Sequence, residues 1–423
     1  MGEEEKTLIK ADKIITGVDS EQNSNKVLNN AAVLIQDGKI SWIGKQDELF
    51  EQGFYQASSE GFEVIDLEDK TLLPGLIDMH VHLGLNGETS MEPVLTKQLI
   101  PFLTAKASTY LQKDLHAGTT TIRSVGDKGF IDIGLKQAIR SGFVEGPRLS
   151  VSGQMLTITG GRDAFVPGLE FTKRSDSMFA IFDGPAEAAK VTREQLKYGV
   201  DWIKVGVTGA VTAGDMMPGA QQPTFEELQA ICECARLYGV KVAGHAHGAN
   251  GIKEAVKAGF DTIEHAMLID DEGVELMAEH DTVLVPTLAP VHSIVAHGVE
   301  SGIPRQVVER AKQGKERHLK SFESARENGI KMAAGTDTGM PFVYHGSIGL
   351  ELELLVKAGM TEYEAILSAT ANASEALGME EEIGTLEVGK TADLIAVSGN
   401  PLENIKHIRN VDFIMKEGAV YKR

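Results

Sequence analysis

The feature that most constrains this chain is an alternation through its middle. Eight apolar, strand-like runs occur at 76–82, 119–125, 148–153, 202–207, 240–245, 262–265, 283–287 and 330–336. Helical patterns fall between most of them, at 104–117, 131–141, 185–198, 225–238, 251–258, 271–279 and 304–328, and two more follow at 347–358 and 362–377. Parallel strands need a crossover to return, so eight strand–helix units in a row predict an α/β fold, a closed (β/α)8 TIM barrel. An open doubly wound sheet would carry a Gly-rich phosphate loop after its first strand. Met79-His80-Val81-His82-Leu83-Gly84 stands there instead.

The two ends resemble each other and differ from the middle. Short strands with turns are expected at 7–9, 13–15, 32–36, 39–44, 63–66 and 71–73, and again at 393–398 and 411–416. Asp37-Gly38 and Glu417-Gly418 read as hairpin turns. The expectation is a composite β-sandwich domain from residues 1–73 plus 386–423, with the barrel at 74–385. At 423 residues, the chain has room for both.

Composition removes several classes of function. A formal charge of −20 argues against nucleic acid, because phosphate binding needs clustered Lys and Arg. Cys232 and Cys234, two apart in a helical stretch, give no disulfide framework and a poor zinc pattern. Residues 1–6 are acidic and unlike a signal peptide, and no run of about 18 apolar residues exists to span a membrane. A cytoplasmic protein without a membrane partner is expected.

Barrel enzymes keep their chemistry at the C-terminal ends of the strands. Here those ends carry His80 and His82, Lys204, His245 and His247, His265, and Asp337. Singly, each has an ordinary reading: a structural histidine, a salt-bridging lysine, a turn aspartate. Together they converge. Side chains at i and i+2 of a strand point the same way, so His80 and His82 can reach one ion. His245, His265 and Asp337 would meet them at the barrel mouth. Imidazole and carboxylate at about 2.0–2.2 Å suit Zn²⁺, with Mn²⁺, Fe²⁺ and Co²⁺ as competitors.

These residues also carry a resemblance. Leu73-Pro74-Gly75-Leu76-Ile77-Asp78-Met79-His80-Val81-His82 resembles the opening signature of the amidohydrolase superfamily, and 383–394 resembles its return to the β-domain. Trp202-Ile203-Lys204, Gly244-His245-Ala246-His247-Gly248, Ile263-Glu264-His265 and Gly335-Thr336-Asp337-Thr338-Gly339 resemble the imidazolonepropionase-like branch. Within it they are similar to dipeptidases related to bacterial prolidases and Xaa-Arg/Xaa-Lys carboxypeptidases. The resemblance implies two divalent metal ions, zinc foremost: His80, His82 and Asp337 on one, His245 and His265 on the other. Lys204 would bridge them as a carboxylated lysine; the alternative is a mononuclear site without a carbamate.

In that reading a metal-held hydroxide attacks an amide, and Asp337 takes its proton and passes it to the leaving nitrogen. His247 would stabilise the oxyanion or orient the substrate, unless it only supports the barrel rim. The substrate class implied is a dipeptide or N-acyl amino acid; a cyclic amide, carbamate or urea-type molecule is the alternative. Arg162, Tyr344 and His345 are candidate substrate-binding residues. Arg162 departs from the histidine usual in relatives, as do Ser124 and Thr208-Gly209-Ala210-Val211 from their counterparts. Superfamily members commonly form homo-oligomers, and the sequence selects no symmetry.

Overall fold

The structure, a computed structural model, describes residues 6–18, 26–49, 62–161, 176–212 and 218–423. Four strands come first: β1 (Lys6–Ile15), β2 (Val27–Gln36), β3 (Lys39–Lys45) and β4 (Glu63–Pro74). β1 and β2 pair antiparallel from Lys6↔Gln36 to Ile15↔Val27, and β4 lies parallel to β1 on its other side.

The middle of the chain then alternates strand and helix. β5 (Leu76–Val81), β6 (Thr119–Ser124) and β7 (Arg148–Ser150) form a parallel sheet. β8 (Met155–Thr157), β9 (Phe179–Ile181), β10 (Trp202–Gly206), β11 (Lys241–Gly248), β12 (Thr262–Leu268) and β13 (Val283–Val285) form a second, in the order β13-β12-β11-β10-β8-β9. β5, β6, β7, β10 and β13 are almost wholly buried, as strands covered by helices must be. The helices that cover them follow the expected sites closely; Phe225–Leu237, for example, opens with a capping box between Thr224 and Glu227.

The eighth expected strand, 330–336, makes bridges rather than a full ladder. It meets β13 at Leu284↔Met332, and on the other side the Met79 N–H donates to the Ala334 carbonyl and the Asp337 N–H to that of His80. Between β7 and β10, the Trp202 N–H donates to Val151 O. The expected helix at 362–377 is two, Glu362–Ser368 and Ala371–Leu377. The break frees the Ser368 and Ala369 carbonyls to accept from Ala334 and Ile77 at the base of the strands. The helix Leu288–His297 was not anticipated from the sequence.

β14 (Leu394–Ser398), β15 (Val411–Lys416) and β16 (Ala419–Lys422) return to the first sheet, giving the order β16-β15-β14-β4-β1-β2-β3. These seven strands, from the two chain ends expected to form a composite β-sandwich domain, hydrogen-bond into one sheet that curls upon itself. Its two hairpin turns touch: both Gly38 and Gly418 have positive φ, and a Cβ on Gly418 would lie 2.5 Å from the Gly38 Cα. Curling encloses one core of Ile9, Val33 and Ile40 with Leu394, Phe413 and Met415.

Candidate metal centre

Beyond the C-terminal ends of the parallel strands lies a cavity lined by His80, His82, His245, His247, His265 and Asp337 among others. Neighbouring ring centroids are 5.5 Å apart for His80–His82, 5.0 Å for His80–His265, 4.5 Å for His245–His265 and 4.7 Å for His245–His247. Ligand-capable atoms of His80, His265 and Asp337 all lie within 4.8 Å of one another. Asp337 Oδ1 is 3.4 Å from Nε2 of both His80 and His82, as the i, i+2 spacing predicts.

The orientation of the rings shows what the cluster suits. His80 Nδ1 is 2.7 Å from Glu264 Oε2, His82 Nδ1 is 2.8 Å from the Gly126 carbonyl, and His265 Nδ1 is 2.6 Å from Thr287 Oγ1. Three histidines thus engage the protein through Nδ1 and keep Nε2 for the cavity. This is how metal-ligating histidines are held, the outer partner fixing tautomer and ring angle. Neutral imidazoles facing a carboxylate fit a divalent cation.

Electrostatics keeps His80 and His265 neutral. Burial pushes His80 down to about 4, helped by the Lys204 charge, and holds His265 well below its usual range. Burial would raise Asp337, but the adjacent His80 imidazole, the hydrogen bond from His82 and the nearby Lys204 hold it below the ordinary carboxylate range. Lys204 is fully buried on β10, and its charge acts on His80, Glu264, His265 and Asp337. The backbone is strained at the same place: His265, Ala266, Thr287 and Asp337 have φ of 73°, 48°, 48° and 54°. Gly335 permits the close approach of this last segment to β5, since a Cβ there would lie 2.8 Å from His80 Cβ.

The profile of the amidohydrolase family matches residues 71–421. The chain belongs to the amidohydrolase family. This amidohydrolase is 31% identical to the ochratoxinase of Aspergillus niger over 98% of its length and 86% of the relative's. A crystal structure of a Xaa-Pro dipeptidase with bound methionine superposes with a TM-score of 0.87 at 35% identity, covering 99% of this chain and 100% of that one. An imidazolonepropionase from Geobacillus is 24% identical over 95% of this chain and 92% of its own. These relatives match the branch that the motifs resembled. The fold is that of a TIM-barrel-like hydrolase with an additional domain, and the enzyme hydrolyses carbon–nitrogen bonds in a metal-dependent family.

The substrate-binding expectations fare differently. His345 does not line the amidohydrolase cavity: its Nδ1 is 2.6 Å from Asp114 Oδ2 and its Nε2 2.9 Å from the Leu85 carbonyl, so both nitrogens serve the scaffold. Tyr344 is half exposed, also outside the cavity lining, with its ring against Gly87 and Phe342. Arg162 lies outside the described residues. Sequence reasoning missed a buried support beneath the histidines. Arg123 on β6 donates to Glu264 Oε1 (2.7 Å), Thr262 Oγ1 (3.0 Å) and the Met79 carbonyl (2.7 Å), while Glu264 receives His80. Burial would raise Glu264, but the Arg123 and Lys204 charges hold it well below the usual carboxylate range. The only available signal was a charged residue inside each of two apolar runs. Ser124, another departure, donates to Asp127 Oδ2 (2.6 Å), and Asp127 accepts the N–H groups of Leu83 and Gly84 just after His82.

Proposed function

We propose that this enzyme cleaves the carbon–nitrogen bond of a dipeptide or N-acyl amino acid, with two divalent cations, zinc foremost, as its cofactor. The observation that carries this reading is the set of Nδ1-anchored histidines turned towards Asp337 in one cavity. His80, His82 and Asp337 would hold one cation and His245 and His265 the other, with carboxylated Lys204 between them. When bound, such cations polarise the carbonyl and make water nucleophilic near neutral pH. Asp337 Oδ1 accepts the proton of the attacking water and returns it to the departing nitrogen. His247, in the cavity and stacked 5.0 Å from His265, orients the carbonyl oxygen. The buried histidines and strained strand ends hold this geometry before substrate arrives.

The likeness to the Xaa-Pro dipeptidase and to the ochratoxinase supports a substrate with an exocyclic amide. We read β5, β6, β7, β10, β11, β12, β13 and segment 330–336 as one closed eight-stranded barrel, carried in 74–385, with 1–73 and 386–423 forming the second domain. No helix among the described residues is long and apolar enough to cross a membrane, and both cysteines are buried and unpaired, which accords with a cytoplasmic setting. The test is a library of dipeptides and N-acyl amino acids with metal-loaded protein. Turnover should disappear on chelation, return with the metal, and fall by roughly 10²–10⁴-fold in Asp337→Asn. Hydrolysis confined to cyclic amides, as the imidazolonepropionase relative would suggest, would replace the substrate assignment.

A further inference from the structure

The cavity lining combines ionisable and apolar residues. Besides the histidines and Asp337, its lining includes Val211, Met267, Pro290, Val291, Ile294 and Met340. Val211, Met267, Val291 and Ile294 belong to one apolar cluster that continues into Ile303, Val308 and Ala311. The wall is therefore the inner edge of a packed core, and it does not collapse or rotate away easily. The Leu288–His297 helix that contributes Pro290, Val291 and Ile294 is fixed at its start: the fully buried Glu351 accepts the Leu288 and Ala289 N–H groups, each at 2.8 Å. Among the described lining residues, Asp337 and the histidines are the only ionisable groups. A charged substituent pressed against this wall would lose its water and gain no partner.

We propose that this wall sets the substrate class: one substituent of the scissile amide is a bulky, uncharged aliphatic or aromatic group, selected by Val291 and Ile294. The inference deepens the amide-hydrolase reading above and rests on it. A hydrocarbon side chain fits because each methylene moved from water to this surface improves binding, whereas an ammonium or carboxylate is penalised. Selection by a packed apolar wall acts on the substituent alone and leaves the attacked carbonyl to the histidine side.

Two matched substrate series differing only in side chain (Gly, Ala, Leu, Phe, Asp, Lys), one varied on the acyl side and one on the leaving side, provide the test with the metal-loaded full-length enzyme. In at least one series, kcat/KM should rise from Gly to Leu or Phe by roughly tenfold or more and fall below the Gly value for Asp. Val291→Asp should cut the Leu-to-Lys ratio at least tenfold. Val291→Phe, which keeps the wall apolar but narrows the slot, should lower Phe and Leu turnover more than Ala turnover. Circular dichroism establishes that each variant is folded, and should one not fold, the other's ratio decides. Equal or better turnover of charged side chains in both series, or ratios unmoved in the folded variants, overturns the proposal while leaving amide hydrolysis in place. No hydrolysis of any member overturns the dipeptide and N-acyl amino acid reading on which the proposal rests.

Discussion

Replacing Arg123 with methionine separates support of the metal centre from the centre itself. The Arg123 and Glu264 side chains are both fully buried and 2.7 Å apart, and the guanidinium lies 4.5 Å from the Trp202 ring. Its donors reach β5 through Met79 and β12 through Thr262 and Glu264, so one side chain ties three strands beneath the histidines. Arg123→Met leaves the Glu264 carboxylate buried without its main counter-charge, at a cost of about 3–5 kcal/mol. That is a large share of a total stability of roughly 5–15 kcal/mol. Removing the stranded charge as well should reverse most of the loss: Arg123→Met with Glu264→Gln is expected within about 1–2 kcal/mol of the wild type. The amide still accepts from His80 Nδ1 but carries no charge, so Glu264→Gln alone should weaken metal binding by about 10–100-fold. Urea unfolding of metal-stripped protein, followed by fluorescence and circular dichroism, gives the stabilities; competition with a chromophoric chelator gives the affinity. Additive costs in the double variant, or a single-variant loss under about 1 kcal/mol, would refute the reasoning.

Lys204→Ala should lose metal stoichiometry and turnover together, with partial recovery of both in short-chain carboxylic acids; full metal content without the lysine would favour a mononuclear site. Glu351 supplies a pH test. Burial lifts its carboxyl from an ordinary 4.5 to about 8, so its contribution to stability is complete below about pH 4.5 and is lost as pH rises towards 8. In Glu351→Gln the alkaline decline of the metal-free protein should shrink by on the order of 4 kcal/mol between pH 5 and 8, as read by unfolding at four pH values, and unchanged slopes would remove this role.

Much of the fold was legible because its periodicity is strong. The alternation of runs located the parallel strands, and Asp37-Gly38 and Glu417-Gly418 located the turns at which one sheet meets itself. His80 and His82 were legible as a pair because strand geometry sends i and i+2 to one side, and both lie 3.4 Å from Asp337 Oδ1. The helix Leu288–His297 was hidden: its sequence LAPVHSIVAH is apolar nearly all round and holds a proline, so it shows neither a polar face nor a clean start. Arg123 and Glu264 were hidden for a different reason. Their pairing spans 141 positions, and only the folded strands reveal that each answers the other. His345 stands differently: a histidine near a motif has both ring nitrogens on Asp114 and a carbonyl, partners that lie in distant parts of the sequence.

The curled sheet also imposes an order of events on synthesis. Lys70 on β4 pairs with Ser398 on β14, 328 positions later, and their side chains hydrogen-bond. At roughly 5–20 residues per second a ribosome needs about 16–66 s to make the intervening chain. Throughout that interval β4 has one open edge, and the apolar faces of β1 and β2 lack the residues of β14 and β15 that complete their core. The barrel segment, whose neighbours follow one another closely, can settle during the wait. β1, β2 and β4, made well before β14 and β15, are therefore enclosed late, and their open edge and apolar faces are exposed to aggregation and to chaperones while the rest is being made.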